Sequence, residues 1–136
     1  GVNELEFMRK TLEAELAQRA TSRMSETVLN ELAQVDDALN HAIDRGDIGE
    51  YLTQNYRFHT IVNTCAEAPI LAATVDRLWL MFGPSLRVVC GRFGTSNLPD
   101  KHADLLAAFR EGDAAKAAQA MAEDVSQGMV QIRASL

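Results

Sequence analysis

The sequence predicts an all-α protein, an antiparallel bundle of six to seven helices, and three observations predict it. Apolar residues recur at steps of three and four almost from end to end. No stretch alternates apolar and polar residues with the period of two that a half-buried strand needs. Short clusters of Gly, Pro and Asp, such as "DRGD" at 44–47 and "EGD" at 111–113, interrupt the pattern at intervals suited to helical turns.

Leu5, Met8, Leu12 and Leu16 mark the inner face of a first helix. Ser25 is placed to cap a second, because its hydroxyl can accept from an unpaired first-turn N–H. The stripe of that helix runs Val28, Leu32, Val35, Leu39 and Ala42. Gly46 suits the left-handed position that ends it, and Asp47 the cap of the next. The third helix carries Ile48, Leu52, Asn55, His59 and Val62 on one stripe. Pro69, tolerated in a first turn, opens a fourth that runs through Leu71, Val75, Leu78 and Phe82 toward Val89. Pro84 lacks the N–H that a helix interior uses, so a kink or break is expected at "GPS". "CGRFGTSNLPD" reads as a loop. A fifth helix then starts at Pro99 or Asp100 with His102, Leu105, Leu106 and Phe109 inward. The sixth follows "EGD" and turns Ala117, Met121, Asp124 and Gly128 inward.

Composition bounds what such a bundle does. At 136 residues the chain suits one domain with a real core. Hydrophobic residues at 47% and charged residues at 24% are ordinary for a globular protein. A net charge of -6 argues against this chain gripping a phosphate backbone by itself, which needs clustered Lys and Arg. No apolar run is long enough to span a bilayer, so no membrane partner is expected. Cys65 and Cys90 form no C-x-x-C pair, and a reducing cytoplasm is the expected location. Gly1 is followed at once by a helical pattern, as in a domain cut from a longer chain or one preceded by a tag remnant.

Four polar residues interrupt the inner stripes: Asn55, His59, His102 and Asp124. A polar group buried without a partner costs roughly 1–3 kcal/mol, so four scattered ones would burden a small domain. Gathered together they satisfy one another, and two imidazoles with oxygen donors suit a divalent cation such as Zn²⁺ or Ni²⁺. Asn55 and His59, four apart, aim at one spot from a single helix. The competing reading is a set of hydrogen-bonded core histidines, with Asp124 one position off its stripe and solvated. His41 is placed on the surface near the end of the second helix. Trp79 is placed in the core or in a pocket wall.

Several short motifs resemble one family along essentially the whole chain: the ligand-binding C-terminal (FCD) domain of the FadR subgroup of GntR-type bacterial transcription regulators. "MRKTLEAELAQRAT" places Arg9, Leu12 and Glu13 where that family has Arg followed by Leu-Glu. "NYRFH" stands for its Asp-x-x-Phe-His with Asn55, Phe58 and His59. "KHADLLAAFREGD" matches its Glu-His and Gly-Asp with His102, Gly112 and Asp113, and "MAED" its Met-x-x-His with Met121 and Asp124.

The resemblance implies a metal held inside the bundle by Asn55, His59, His102 and Asp124. Asn stands for the family's Asp and Asp for one of its His, which keeps one carboxylate in the set but offers a weak neutral amide. It also implies a small organic acid effector, with Arg9 first and Arg87 second as residues to clamp its carboxylate. A homodimer and operator DNA follow as partners, the DNA through an N-terminal winged-helix domain outside residues 1–136. Two other classes compete. A metal-dependent enzyme is disfavoured, since no histidine belongs to Glu-x-x-His or H-E-x-x-H and no nucleophile elbow is present. A ligand-free structural dimerisation domain is the other. The expectation is therefore a sensor and not an enzyme.

Overall fold

The computed structural model describes residues 1–93 and 101–135, with side chains for all of these except 2, 82–93 and 130–135. Among the described residues the chain forms six α-helices and no strand: α1 (Val2–Thr21), α2 (Glu26–Asp44), α3 (Ile48–Cys65), α4 (Pro69–Phe93), α5 (His102–Glu111) and α6 (Ala114–Ser135).

The boundaries follow local chemistry. Ser25 Oγ accepts the Val28 N–H at 3.1 Å and starts α2. Asp47 Oδ1 accepts the Glu50 N–H at 3.0 Å and starts α3, and Asp113 Oδ1 accepts the Lys116 N–H at 3.0 Å and starts α6. Gly46 and Gly112 both take φ +69°, the left-handed turn in which a side chain is strained, and so end α2 and α5. Two expectations change. The helix α4 runs on past Gly83 and Pro84, so of the kink or break expected there the break is absent. Helix α5 begins at His102; Pro99 and Asp100 lie outside the described residues.

Helix α1 lies along α6, α2 along α3, and α5 along α6. Between them Leu16, Leu32, Phe58, Val62, Leu105 and Met121 are all fully enclosed. The face of α1 corrects the sequence reading. Met8 is 41% exposed beside Phe7 at 70%, whereas Arg9 and Glu13 turn inward. The apolar stripe of α1 is weak, and its inward face is set instead by partners that other helices supply to that charged pair.

Candidate metal centre

All six helices place a side chain around one buried polar centre. Glu13 of α1 is completely buried. Arg9, one turn earlier, reaches Glu13 Oε2 with both Nε and a terminal nitrogen at 3.0 Å. The same guanidinium lies 4.4 Å from the centroid of the Trp79 ring on α4, a cation–π contact. The Trp79 indole N–H donates to Glu13 Oε1 at 3.3 Å, and His59 Nδ1 stands 2.8 Å from that oxygen.

On the far side of its ring, His59 Nε2 lies 2.8 Å from Asp124 Oδ2 on α6. That carboxylate oxygen is 3.7 Å from His102 Nε2 on α5. Across the His102 ring, Nδ1 faces Asp36 Oδ1 of α2 at 3.3 Å. Phe58 stacks on His102 with centroids 3.9 Å apart and planes 3° from parallel. Asp124 thus stands between the two imidazoles, and each imidazole has a further carboxylate at its Nδ1.

The electrostatics follow from this arrangement. Burial pushes the Glu13 carboxyl up, but Arg9, then His59 and the Trp79 N–H, more than reverse it and hold the group below its ordinary value. Burial likewise raises Asp124, and the two histidines, His102 first, bring it well below the usual carboxylate range. Burial lowers His59, yet the Glu13 charge and the bond to Asp124 raise it overall. An imidazole between two carboxylate acceptors is served at both nitrogens only as imidazolium, or as a neutral ring with a cation at one nitrogen.

The donor set fits a metal ion. His59, His102 and Asp124 each offer one ligand atom, all within 4.8 Å of one another. Nitrogen and oxygen ligands at zinc's usual bond lengths lie about 3.3 Å apart along a tetrahedral edge. The observed Nε2–Oδ2 separations of 2.8 and 3.7 Å bracket that value. Three carboxylates (Glu13, Asp36, Asp124) against one guanidinium (Arg9) leave two negative charges among the described residues here, which a divalent cation on neutral imidazoles balances.

Of the four expected ligands, His59, His102 and Asp124 lie within reach of one ion. Asn55, one turn before His59 on α3, is half-buried where the two histidines are enclosed. Arg9 is inside the centre, but its fork is engaged by Glu13. The side chain of Arg87, in α4, lies outside the described residues. His41 is exposed as expected, and Trp79 joins the buried core. The sequence reading gave Glu13 no role and missed Asp36. Their signals were present: an Arg and a Glu four apart on α1, and an acid between Val35 and Leu39 on an apolar stripe. Beside the centre, between α3 and α4, a cavity of about 190 Å³ is lined by Tyr56, His59, Thr60, Asn63, Asp76 and Trp79.

Comparison with known proteins agrees with this architecture. A solved structure described as E. coli McbR/YncC superposes with a TM-score of 0.91 at 23% identity, over 98% of this chain and 68% of that one. The HTH-type transcriptional regulator McbR of Escherichia coli (strain K12) is 24% identical over 131 residues, which are 94% of this chain. The chain spans 59% of that relative's length. The model of the FCD domain matches residues 4–127, nearly all of α1 through most of α6. The chain belongs to the FCD domain family.

Proposed function

We propose that this chain is the effector-sensing domain of a GntR-type transcriptional regulator of the FadR subgroup. In this reading a divalent metal, zinc or nickel, is held by His59, His102 and Asp124, with Asn55 as a fourth and weaker ligand. The metal, when bound, supplies a Lewis-acid position for a carboxylate oxygen of a small organic acid. The cavity beside His59 provides room for such a molecule next to the centre. The observation that carries the proposal is the buried grouping of two imidazoles and a carboxylate inside an FCD bundle.

Arg9 acts at one remove in this scheme. An effector carboxylate that contacts its guanidinium competes with Glu13, which also holds His59. Arg87 remains the second candidate for that clamp. Occupancy of the centre then shifts the helices by binding one arrangement better than another. The readout is a winged-helix domain beyond this chain, in keeping with the helix-turn-helix type of the regulator McbR and the share of its length left unmatched. A homodimer is proposed through apolar side chains exposed on α1 and α4: Phe7, Met8, Ile70, Leu80 and Met81. No helix among the described residues is long and apolar enough to cross a membrane, and a cytoplasmic location belongs to the same proposal.

The test is metal content by plasma mass spectrometry of wild type and of His59→Ala with His102→Ala. The expected result is near-stoichiometric zinc or nickel in wild type and none in the double variant. Small carboxylates are then expected to raise Tm in metal-loaded protein and not after chelation. Failure of wild type to take up either ion from excess sinks the metal part of the reading.

A further inference from the structure

We propose that Asp36 is a positioning residue of the metal centre, accepting the Nδ1–H of His102 and so directing Nε2 toward the cation. The inference rests on the metal reading above for its affinity readout and on ring geometry alone for its tautomer readout. Asp36 is a buried acid on an inner stripe that is otherwise Leu32, Val35, Leu39 and Ala42. Its side chain is only 10% exposed. Its Oδ1 is enclosed and has no hydrogen-bond partner among the described residues other than the close approach of His102 Nδ1 at 3.3 Å. A carboxylate in an apolar stripe is costly unless it faces a donor, so its placement asks for a purpose.

The His102 ring supplies one. Phe58, stacked 3.9 Å away and nearly parallel, fixes the plane of that ring. Stacking does not distinguish the ring from its 180° flip, which exchanges nitrogen and carbon edges. The flip is decided by what lies at the ring edges. With Asp36 at the Nδ1 position, the observed orientation places Nε2 on the side of Asp124 Oδ2 and the His59 ring. A neutral imidazole donating from Nδ1 has its lone pair on Nε2, which is the form a metal binds. Glu13 stands in the same relation to His59, with Oε1 at Nδ1 and Asp124 at Nε2. The two histidines therefore share one plan: an outer carboxylate on one nitrogen, the shared carboxylate on the other. Asp36 comes from α2, a helix with no ligand in the set, so through this residue α2 is coupled to the centre.

The experiment compares wild type, Asp36→Ala and Asp36→Asn, each checked for folding by circular dichroism. The first readout is the His102 tautomer in chelated protein, from long-range proton–nitrogen correlation at a pH where the ring is neutral. The expected result is an Nδ1–H ring in wild type, its loss in Asp36→Ala and its retention in Asp36→Asn, whose amide oxygen still accepts. The second readout is the zinc dissociation constant by competition with a chelating dye. It is expected to rise about 10–100-fold in Asp36→Ala and less in Asp36→Asn. An Nε2–H ring in wild type, or a tautomer unchanged by Asp36→Ala, overturns the proposal. So does a zinc dissociation constant within twofold of wild type in protein that takes up the ion. If wild type binds no zinc, the metal reading fails by itself and the tautomer decides the role of Asp36.

Discussion

Leu32 and Asp36 lie one turn apart on the inner face of α2, and both are buried. Leu32 is enclosed in an apolar cluster with Leu16, Phe58, Val62 and Leu105. Asp36 faces His102. The two positions follow different rules. In the apolar cluster each side chain contributes area and volume, and losses at well-separated positions add. In the polar centre each group is tolerated only because another answers it, so a change at one position alters the value of its partners.

The largest expected effect breaks this contrast open. Glu13→Ala leaves the Arg9 guanidinium buried without its carboxylate and removes the acceptor of His59 Nδ1 and the Trp79 N–H. Breaking a buried charge pair in this way costs about 3–5 kcal/mol. Leu32→Ala, a cavity in the apolar cluster, costs about 2–5 kcal/mol. Size alone does not separate the two, but coupling does. Arg9→Met is expected to destabilise wild type strongly and the Glu13→Ala background much less, whereas Arg9→Met and Leu32→Ala are expected to add. Urea unfolding of the three single and two double variants checks this, and additive losses for Arg9 with Glu13 would remove the distinction between the two regions.

The same contrast explains how much the sequence disclosed. Helix α2 was legible because its inner residues are apolar at helical spacing and its ends carry Ser25 and Gly46. In helix α1 Met8 was misread as inward because hydropathy favours it there, while the position of Arg9 and Glu13 depends on Trp79 and His59, which arrive from α4 and α3. His59, His102 and Asp124 were found as interruptions of apolar stripes, and their meeting was inferred first from the cost of burying polar groups unpaired and then from the family resemblance. Asp36 broke its stripe in the same way, but it sits beside Val35 and Asp37, and only the fold brings it to His102. The continuity of α4 through Pro84 was not legible either, because a lost backbone bond is a local signal and the continuity of a helix is not.

A smaller effect sharpens the comparison through pH, in chelated protein. The raised His59 value means its charged form is favoured by folding. That contribution is fully present below the ordinary histidine value of about 6.5 and is lost as pH rises through the raised folded value. The lowered Glu13 and Asp124 values work in the opposite direction. Their contribution is present above about 4 and is lost as pH falls through the lowered folded values. Metal-free protein is therefore expected to be most stable on the mildly acidic side and to lose Tm on going to pH 8.5. Saturating zinc, which takes the imidazoles neutral, is expected to move the optimum upward. Thermal scans of chelated His59→Phe should lack the alkaline decline; a decline of equal size would place its origin elsewhere.

The smallest effect lies at the surface, where neither rule governs. Glu67, in the turn between α3 and α4, pairs with Arg23 at 3.0 Å, but the two side chains are 73% and 43% exposed. Such a pair contributes only about 0–1 kcal/mol, since water screens it and two long side chains must be held still. Glu67 also takes φ +55°, a left-handed conformation that costs a residue with a Cβ about 1–2 kcal/mol and glycine little. Two substitutions separate these effects. Glu67→Gln removes the charge and keeps the strained backbone, and its expected change in urea unfolding is a loss of about 0.5 kcal/mol or less. Glu67→Gly removes the same charge and relieves the strain, at the expense of a more flexible unfolded chain. A net gain of about 0.5–1 kcal/mol is expected. A loss in Glu67→Gly larger than in Glu67→Gln would mean that the added freedom of the unfolded chain outweighs the relieved strain, since the ion pair is lost in both. In that case the left-handed backbone of this turn would carry no net cost, and the position would be governed neither by a partner, as in the polar centre, nor by its conformation.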